Sequence, residues 1–526
     1  MENQTILIII VALCFITTII IKNWPKIIIK KKRTQYPDLP PGPKGWPIVG
    51  CIPQMMKNKP ILKWIHKIMQ ELNTEIACIR LGNINVIPVT SPELAREFLK
   101  ELDAVFASRP HCMTCEMTSD GYLTTIISPL GDQWKKMKRI IISEVLSPAM
   151  HRLLHKKVCL EEADHLVKYV YNQCQSPLKD GLVNVRAVAR HYCGSVTKKI
   201  IFGKRFFGAE MEDGGPGMQD EEHMDALFTT VFHVYAFAIA DYVPWLEVFD
   251  LDGYKKTLKN SIKSMRKYQD PEIDKRVEMW EQGIRKTKED ILDVFINLKD
   301  SSNDPLLSVQ EIKAQINELM FAAVDNPSNA VEWALAEMIN QPDVLHKAYK
   351  ELDKVVGWDR LVDESDLPKL NYVKACIKEA FRMHPVNPFN VPHVSTKDMV
   401  VGGYFIPKGS HVILSRPGLG KNPRVWEDPL KYKPERHIVN ESIEVSFVDH
   451  ELKMFSFSTG RRGCPGVVLG STMVTLILAR LLQGFNWSAP LNGPGIDLVQ
   501  SERNMLMAKP LIAHASPRLE PHIYAN

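Results

Sequence analysis

The sequence predicts a mainly α protein: a large helical body with small β-sheets, preceded by an N-terminal membrane-anchor helix. Apolar residues at helical spacing dominate the chain after residue 50, strand-like runs are few and short, and an apolar stretch opens the chain. Over 526 residues, 45% hydrophobic and 24% charged side chains exclude a disordered chain, a collagen and a polytopic membrane protein. The balance of 66 basic against 61 acidic side chains leaves +5, too small a surplus to point to a nucleic-acid partner. Ten cysteines at irregular spacings are no disulfide framework and suit a body in reducing cytosol.

Thr5 to Ile21 is almost wholly apolar, followed by Lys22, Trp24 and Lys26, a second run Ile27–Ile29, and then Lys30, Lys31, Lys32 and Arg33. A spanning helix takes about 20 residues, so the span borrows the second run while the lysines snorkel. Basic residues before the run and a small-residue cleavage site are both missing, so an uncleaved anchor in membrane lipid is expected rather than a signal peptide. The positive cluster after the run places the body in the cytosol. Pro37, Pro40, Pro41, Pro43 and Pro47 then make a stiff extended spacer. Residues 1–33 are read as anchor and stop-transfer segment, 34–50 as a proline-rich hinge, and 51–526 as one body without repeats or a second linker.

Within the body, Ile76–Leu81 with Val86–Val89, and Val400–Tyr404 with His411–Leu414, read as short strands. Met211–Glu222 and Asp300–Pro305 read as surface loops. Lys135, Lys136, Lys138 and Arg139 give one helix a basic face. Ser308-Val309-Gln310-Glu311 is a capping box, and the apolar pattern behind it continues to Gln341, where Pro342 stops it. A helix of that length crosses the whole body. Inside it, Pro327 has no N–H for the carbonyl of Ala323, so a kink with a free acceptor is predicted. Asn371 to His384 is a second helix, ended by Pro385, and Cys464 to Gly484 a third, apolar nearly all round and therefore buried. Cys112 and Cys115, with His111, lack the second ligand pair of a zinc site.

Phe457-Ser458-Thr459-Gly460-Arg461-Arg462-Gly463-Cys464-Pro465-Gly466 is the most informative stretch. Its glycines allow a tight turn and close approach to a flat ligand. Cys464 then opens a buried helix, where amide dipoles stabilise a thiolate suited to donating into an iron. Arg462 is placed to pair with a carboxylate on the same ligand.

The pattern F-x-x-G-x-R-x-C-x-G resembles the haem-binding loop of the cytochrome P450 superfamily. Glu379 and Arg382 match its E-x-x-R helix. Pro434-Glu435-Arg436-His437 matches its P-E-R segment, with His437 where Phe is usual, and Trp134 heads a W-x-x-x-basic helix with Lys138 where Arg is common. The resemblance implies haem b held by Cys464 as axial ligand, with Phe457, Gly460, Arg462, Trp134, Lys138 and His393 around it. His393 stands where Arg is frequent. Glu379 and Arg382, one turn apart, can pair and share a carboxylate face with Arg436.

The family's distal helix carries an acid and a threonine that pass protons to bound oxygen. Here the stretch reads Ala322-Ala323-Val324-Asp325-Asn326-Pro327-Ser328: Asp325 keeps the acid and Asn326 replaces the alcohol. Together with His384-Pro385-Val386-Asn387-Pro388-Phe389-Asn390-Val391-Pro392-His393, this resembles the plant amino-acid N-hydroxylating branch. That branch makes aldoximes by two N-hydroxylations, dehydration and decarboxylation. Electrons come from NADPH through a flavoprotein reductase, NADPH-cytochrome P450 reductase, at the endoplasmic reticulum membrane. Asp325 and Asn326 are then the expected catalytic pair, and the amino-acid substrate needs an acceptor for its ammonium and a donor for its carboxylate. Glu116 could hold the ammonium, a solvated loop carboxylate being its other reading, and the Ala323 carbonyl could hold either a water of the proton relay or the substrate amine. Phe389 and Leu506 would line an apolar pocket for phenylalanine or an aliphatic side chain. A carbon hydroxylase of a terpenoid or phenolic, and a haem sensor or electron carrier without turnover, remain open.

Overall fold

A computed structural model describes residues 36–177, 180–440, 442–490, 495–502 and 504–524, so the anchor, its basic cluster and the start of the hinge lie outside the described residues. The architecture is helical. Ser308 accepts from the Glu311 amide while the Glu311 carboxylate takes the Ser308 N–H, and this capping box launches the helix Val309–Asn340, 32 residues long. It runs unbroken through Pro327 and is buried along nearly its whole length. Lys156–Gln175, Val185–Phe202, Asn371–Met383 and Val467–Gly484 surround it and share one apolar core. Where the Asn371–Met383 helix ends, His384 stacks on Trp333 of the long helix at 3.9 Å and bonds Glu337 at 2.7 Å. Among the described residues Val467–Gly484 is the one helix long and apolar enough to cross a bilayer. From Thr472 onward it is wholly buried by protein, so it serves as a core helix.

The sheets are small but non-local. Ile79–Leu81 pairs antiparallel with Ile84–Val89, which runs parallel to His411–Leu414, and His393–Val394 closes this four-stranded sheet. Leu182–Asn184, Ile512–Pro517 and Phe485–Ser488 form a second sheet. The expected strand Val400–Tyr404 is instead a hairpin. Gly402 and Gly403, both at positive φ, turn Met399–Val401 onto Tyr404–Ile406, which frees His411–Leu414 for the larger sheet. The expected loop Met211–Glu222 is cut short at Met218, where a helix to His233 begins. Asp300–Pro305 is a turn, with Lys299 bridged to Pro305.

Candidate active site

The Cys464 loop hangs on its own backbone. The Cys464 N–H donates to the Phe457 carbonyl at 2.8 Å and the Gly463 N–H to Gly460 at 3.0 Å. Gly460 sits at φ +69°, and a Cβ there would collide with the Leu99 carbonyl oxygen. Its freedom therefore serves close packing of the loop on the protein. The helix behind the loop begins at Val467 with Gly466 as its cap, so Cys464 precedes the first turn instead of opening it. Pro465 has no N–H to offer, and the expected dipole contribution shrinks to one bond from the Gly466 N–H. Burial pushes the thiol up, while that bond and the charge of Arg416 pull it down. Cys464 is nevertheless exposed. Dense surroundings together with exposure describe a sulfur in a recess that opens to solvent.

Cations gather at one side of this recess. Arg462 lies over the Trp134 ring at 4.4 Å and donates from Nε to Ala107 (2.6 Å), from Nη1 to Thr125 (3.3 Å) and from Nη2 to Ser128 (2.8 Å). Burial and then the neighbouring Arg109 bring its guanidinium down to about 8, a cation short of anions. Lys138 reaches over Trp134 at 5.1 Å and donates to the Arg461 carbonyl. Burial and Arg462 lower its pKa. His393 is bonded through Nδ1 to the Phe106 carbonyl at 2.8 Å, and burial drives its pKa well down. Its Nδ1 therefore carries the proton and its Nε2 is an acceptor. Glu318, buried on the long helix, takes the Thr125 and Ile126 amides at 2.8 Å each and so fixes the segment that Arg462 grips.

Glu379, Arg382 and Arg436 come together at the helix whose Phe381 ring meets Phe457 of the loop, centroids 6.1 Å apart. Arg382 holds Glu379 bidentately at 2.8 and 2.7 Å, Arg436 adds a bond at 2.9 Å, and His437 another at 2.7 Å. Arg382 also donates to the carbonyls of Gly420, Pro429 and Lys431, tying the segment after the third sheet strand to the helix. His437 is thus a member of the network that the motif alone did not assign.

On the long helix, Asn326 faces outward from an otherwise buried stretch and its amide lies 3.4 Å from the Ala322 carbonyl. Asp325 is fully buried: Oδ1 accepts from Asn329 at 2.6 Å and Oδ2 has no partner. Burial pushes this carboxyl up to about 7, against the charges of Arg190 and Arg416. Folding therefore binds a proton between about pH 3.8 and about pH 7, and the burial cost grows as pH rises through that window. Asp325→Asn is expected to raise the unfolding temperature by roughly a few °C, more at about pH 8 than at about pH 5. Equal gains at both pH values, read by scanning calorimetry, would remove the shifted carboxyl.

The expected pocket residues are less concentrated. Glu116 lies on the short helix Met113–Thr118, exposed, while its neighbours Thr114 and Cys115 are buried. Phe389 is buried against Phe237, ring centroids 5.9 Å apart, in a cluster with Ile65, Val243 and Ile413. Leu506 is buried in a segment held to the long helix by the bond from Trp333 Nε1 to the Met505 carbonyl, 3.1 Å. Ala323 is half-buried beside Asn326. On the basic helix Asp132–Ile140, Lys136 pairs with Glu311 and Lys135 with Asp132 at 3.0 Å, so only part of that face is left to a partner. Among the described residues no group of His, Cys, Asp and Glu is arranged to hold a metal ion by itself. Cys112 and Cys115 approach to 2.7 Å between sulfurs without further ligands.

An exposed cysteine beside a cluster of anion-poor cations, with a Trp134 indole N–H that has no partner among the described residues, fits a haem, whose iron would take the sulfur and whose carboxylates would meet the cations. The cytochrome P450 family model matches residues 40–514. The chain is 54% identical over 502 residues to isoleucine N-monooxygenase 1 of Lotus japonicus, covering 95% of this chain and 93% of that protein. It is 52% identical over 524 residues to valine N-monooxygenase 2 of Manihot esculenta, covering 100% and 96%. It is 53% identical over 496 residues to phenylalanine N-monooxygenase of Arabidopsis thaliana, covering 93% and 93%. With the family model matched over residues 40–514 and likeness along nearly its full length, the chain belongs to the cytochrome P450 family of haem-thiolate monooxygenases.

Proposed function

We propose that this protein N-hydroxylates an α-amino acid with an apolar side chain, phenylalanine or one of valine, isoleucine and leucine, and releases the aldoxime after loss of water and carbon dioxide. The observation that carries this reading is the Asp325-Asn326-Pro327 stretch. Pro327 leaves the Ala323 carbonyl without its helical donor beside the outward-facing Asn326, which provides acceptors for an ammonium. The names of the isoleucine, valine and phenylalanine relatives support the same substrate class.

Haem, when bound, supplies the activation of O₂ with electrons delivered by a reductase. The chain's own residues supply the rest. Cys464 would ligate the iron; Trp134, Lys138 and the N–H groups of Arg462 left over from its protein bonds would seat the carboxylate side of the cofactor, and His393 would join them only with a second proton on Nε2. Phe457 backs the loop, and Glu379, Arg382 and Arg436 set its position. Asp325, whose carboxyl burial pushes up to about 7, can hold a proton, and the exposed Asn326 amide can order the water that would carry it. Leu506 and Phe389 keep the side-chain end apolar and dry, and Glu116 takes the amine at the cleft mouth. NADPH is the electron source through a flavoprotein reductase, and residues 1–33 anchor the domain 51–526 to the endoplasmic reticulum through the hinge 34–50.

Microsomes containing this protein, reductase and NADPH are offered each of the twenty amino acids and assayed for oximes. Oxime from one or more apolar amino acids is expected. Oxime from none, with NADPH consumed on a neutral lipophile instead, would overturn the reading.

A further inference from the structure

Arg416 follows Ser415 at the end of strand His411–Leu414 and opens the short helix Arg416–Gly420. Its backbone is pinned, the N–H donating to the Pro388 carbonyl at 3.0 Å. Its guanidinium lies over the Phe455 ring at 5.3 Å, and its charge is felt by both Cys464 and Asp325. Arg190, near Asp325, has an unpartnered Nε and lies over the Phe228 ring at 3.7 Å; the arginines flanking the Cys464 loop are occupied, each nitrogen of Arg382 and of Arg462 donating to protein oxygen. Arg109 donates from Nε and Nη1 to the Ile126, Val391 and Pro392 carbonyls. Arg416 differs from the occupied arginines. Its Nε is sealed from solvent without a partner, and no nitrogen of its side chain has an acceptor among the described residues.

Arg416 is half-buried, and a guanidinium Nε sealed from water without an acceptor is costly. Asp325 relieves it only through its charge and makes no hydrogen bond to it, since that carboxyl accepts from Asn329. A planar fork of N–H donors, held rigidly at both the backbone and the ring face, matches a carboxylate. We propose that Arg416 binds a carboxylate inside the cleft, that of the amino-acid substrate or one of the haem. The first source rests on the proposed N-hydroxylation; the second needs only the haem.

The test uses the full chain in lipid nanodiscs, as wild type, Arg416→Gln and Arg416→Lys. Two quantities are measured: the rate of haem loss to excess apomyoglobin, and the optical titration with phenylalanine, isoleucine and their carboxamides. A substrate carboxylate predicts that Arg416→Gln weakens the free amino acids by roughly tenfold or more while their carboxamides and haem retention stay level. A haem carboxylate predicts haem loss accelerated by roughly tenfold, with amino acid and carboxamide affected equally. Arg416→Lys, keeping the charge without the fork, should recover part of either loss, and it carries the comparison if the glutamine variant does not fold. Unchanged haem retention together with unchanged amino-acid binding in the folded variants would overturn the proposal. A wild type that holds haem but responds to no amino acid would sink the N-hydroxylation instead, and the haem arm would still read Arg416.

Discussion

Cys464→Ser is expected to give a folded protein whose reduced, carbon monoxide-bound spectrum lacks the thiolate signature and whose turnover falls by more than ~1000-fold, about 4 kcal/mol of barrier. The thiol itself is not easy to ionise here, because burial raises it. What favours the anion is local: the Gly466 N–H, the Arg416 charge, and the iron once bound. A serine hydroxyl in the same place has the same bond and the same cation. Its far higher pKa and harder oxygen nonetheless leave it a poor donor to iron, so the loop would persist while the ligand would not. The Cys464 amide bond to Phe457 is made by backbone and survives the substitution, which predicts little loss of fold. An unchanged spectrum in this variant would show that another side chain holds the iron.

What could be read from the chain alone follows from how local each signal is. The long helix was legible because its cap and its period lie in consecutive residues, from Ser308 and Glu311 onward. The Cys464 loop was legible for the same reason. The start of the helix behind it was misplaced at Cys464 because Pro465 and Gly466 are compatible with a first helical turn, and only the folded loop shows Gly466 as the cap. Strand pairing failed where partners are distant: His411–Leu414 joins Ile84–Val89, more than 300 residues away, and no local pattern announces that. His437 and Arg416 were missed for a related reason. Each is one polar residue in an ordinary stretch, and its meaning comes from a carboxylate or a cleft supplied by another part of the chain.

The second large effect is expected at Glu379. All side-chain surface of Glu379 and Arg382 is buried, and the carboxylate accepts from Arg382, Arg436, His437 and the Lys433 amide. An ionised carboxylate only accepts, so His437, whose pKa burial lowers, donates its Nε2–H. Burial alone would raise the Glu379 carboxyl, but the bonds from Arg382 and His437 outweigh it and hold the group down at about 2. Glu379→Gln keeps the shape and removes the charge, leaving two guanidinium groups facing an amide. Breaking such a buried pair costs about 3–5 kcal/mol, so a much lower unfolding temperature and a poor yield of haem-loaded protein are expected. The pH dependence separates this from a simple packing defect. A carboxyl depressed in the folded state contributes stability that is complete above about pH 4.5 and is lost as pH falls toward about 2. The wild type should therefore lose stability steeply over that acid window, whereas Glu379→Gln, with nothing to protonate there, should start low and fall less. If acid unfolding followed by circular dichroism has the same slope in both proteins, the carboxylate is not what binds the Arg382 helix to the segment that carries Arg436 and His437.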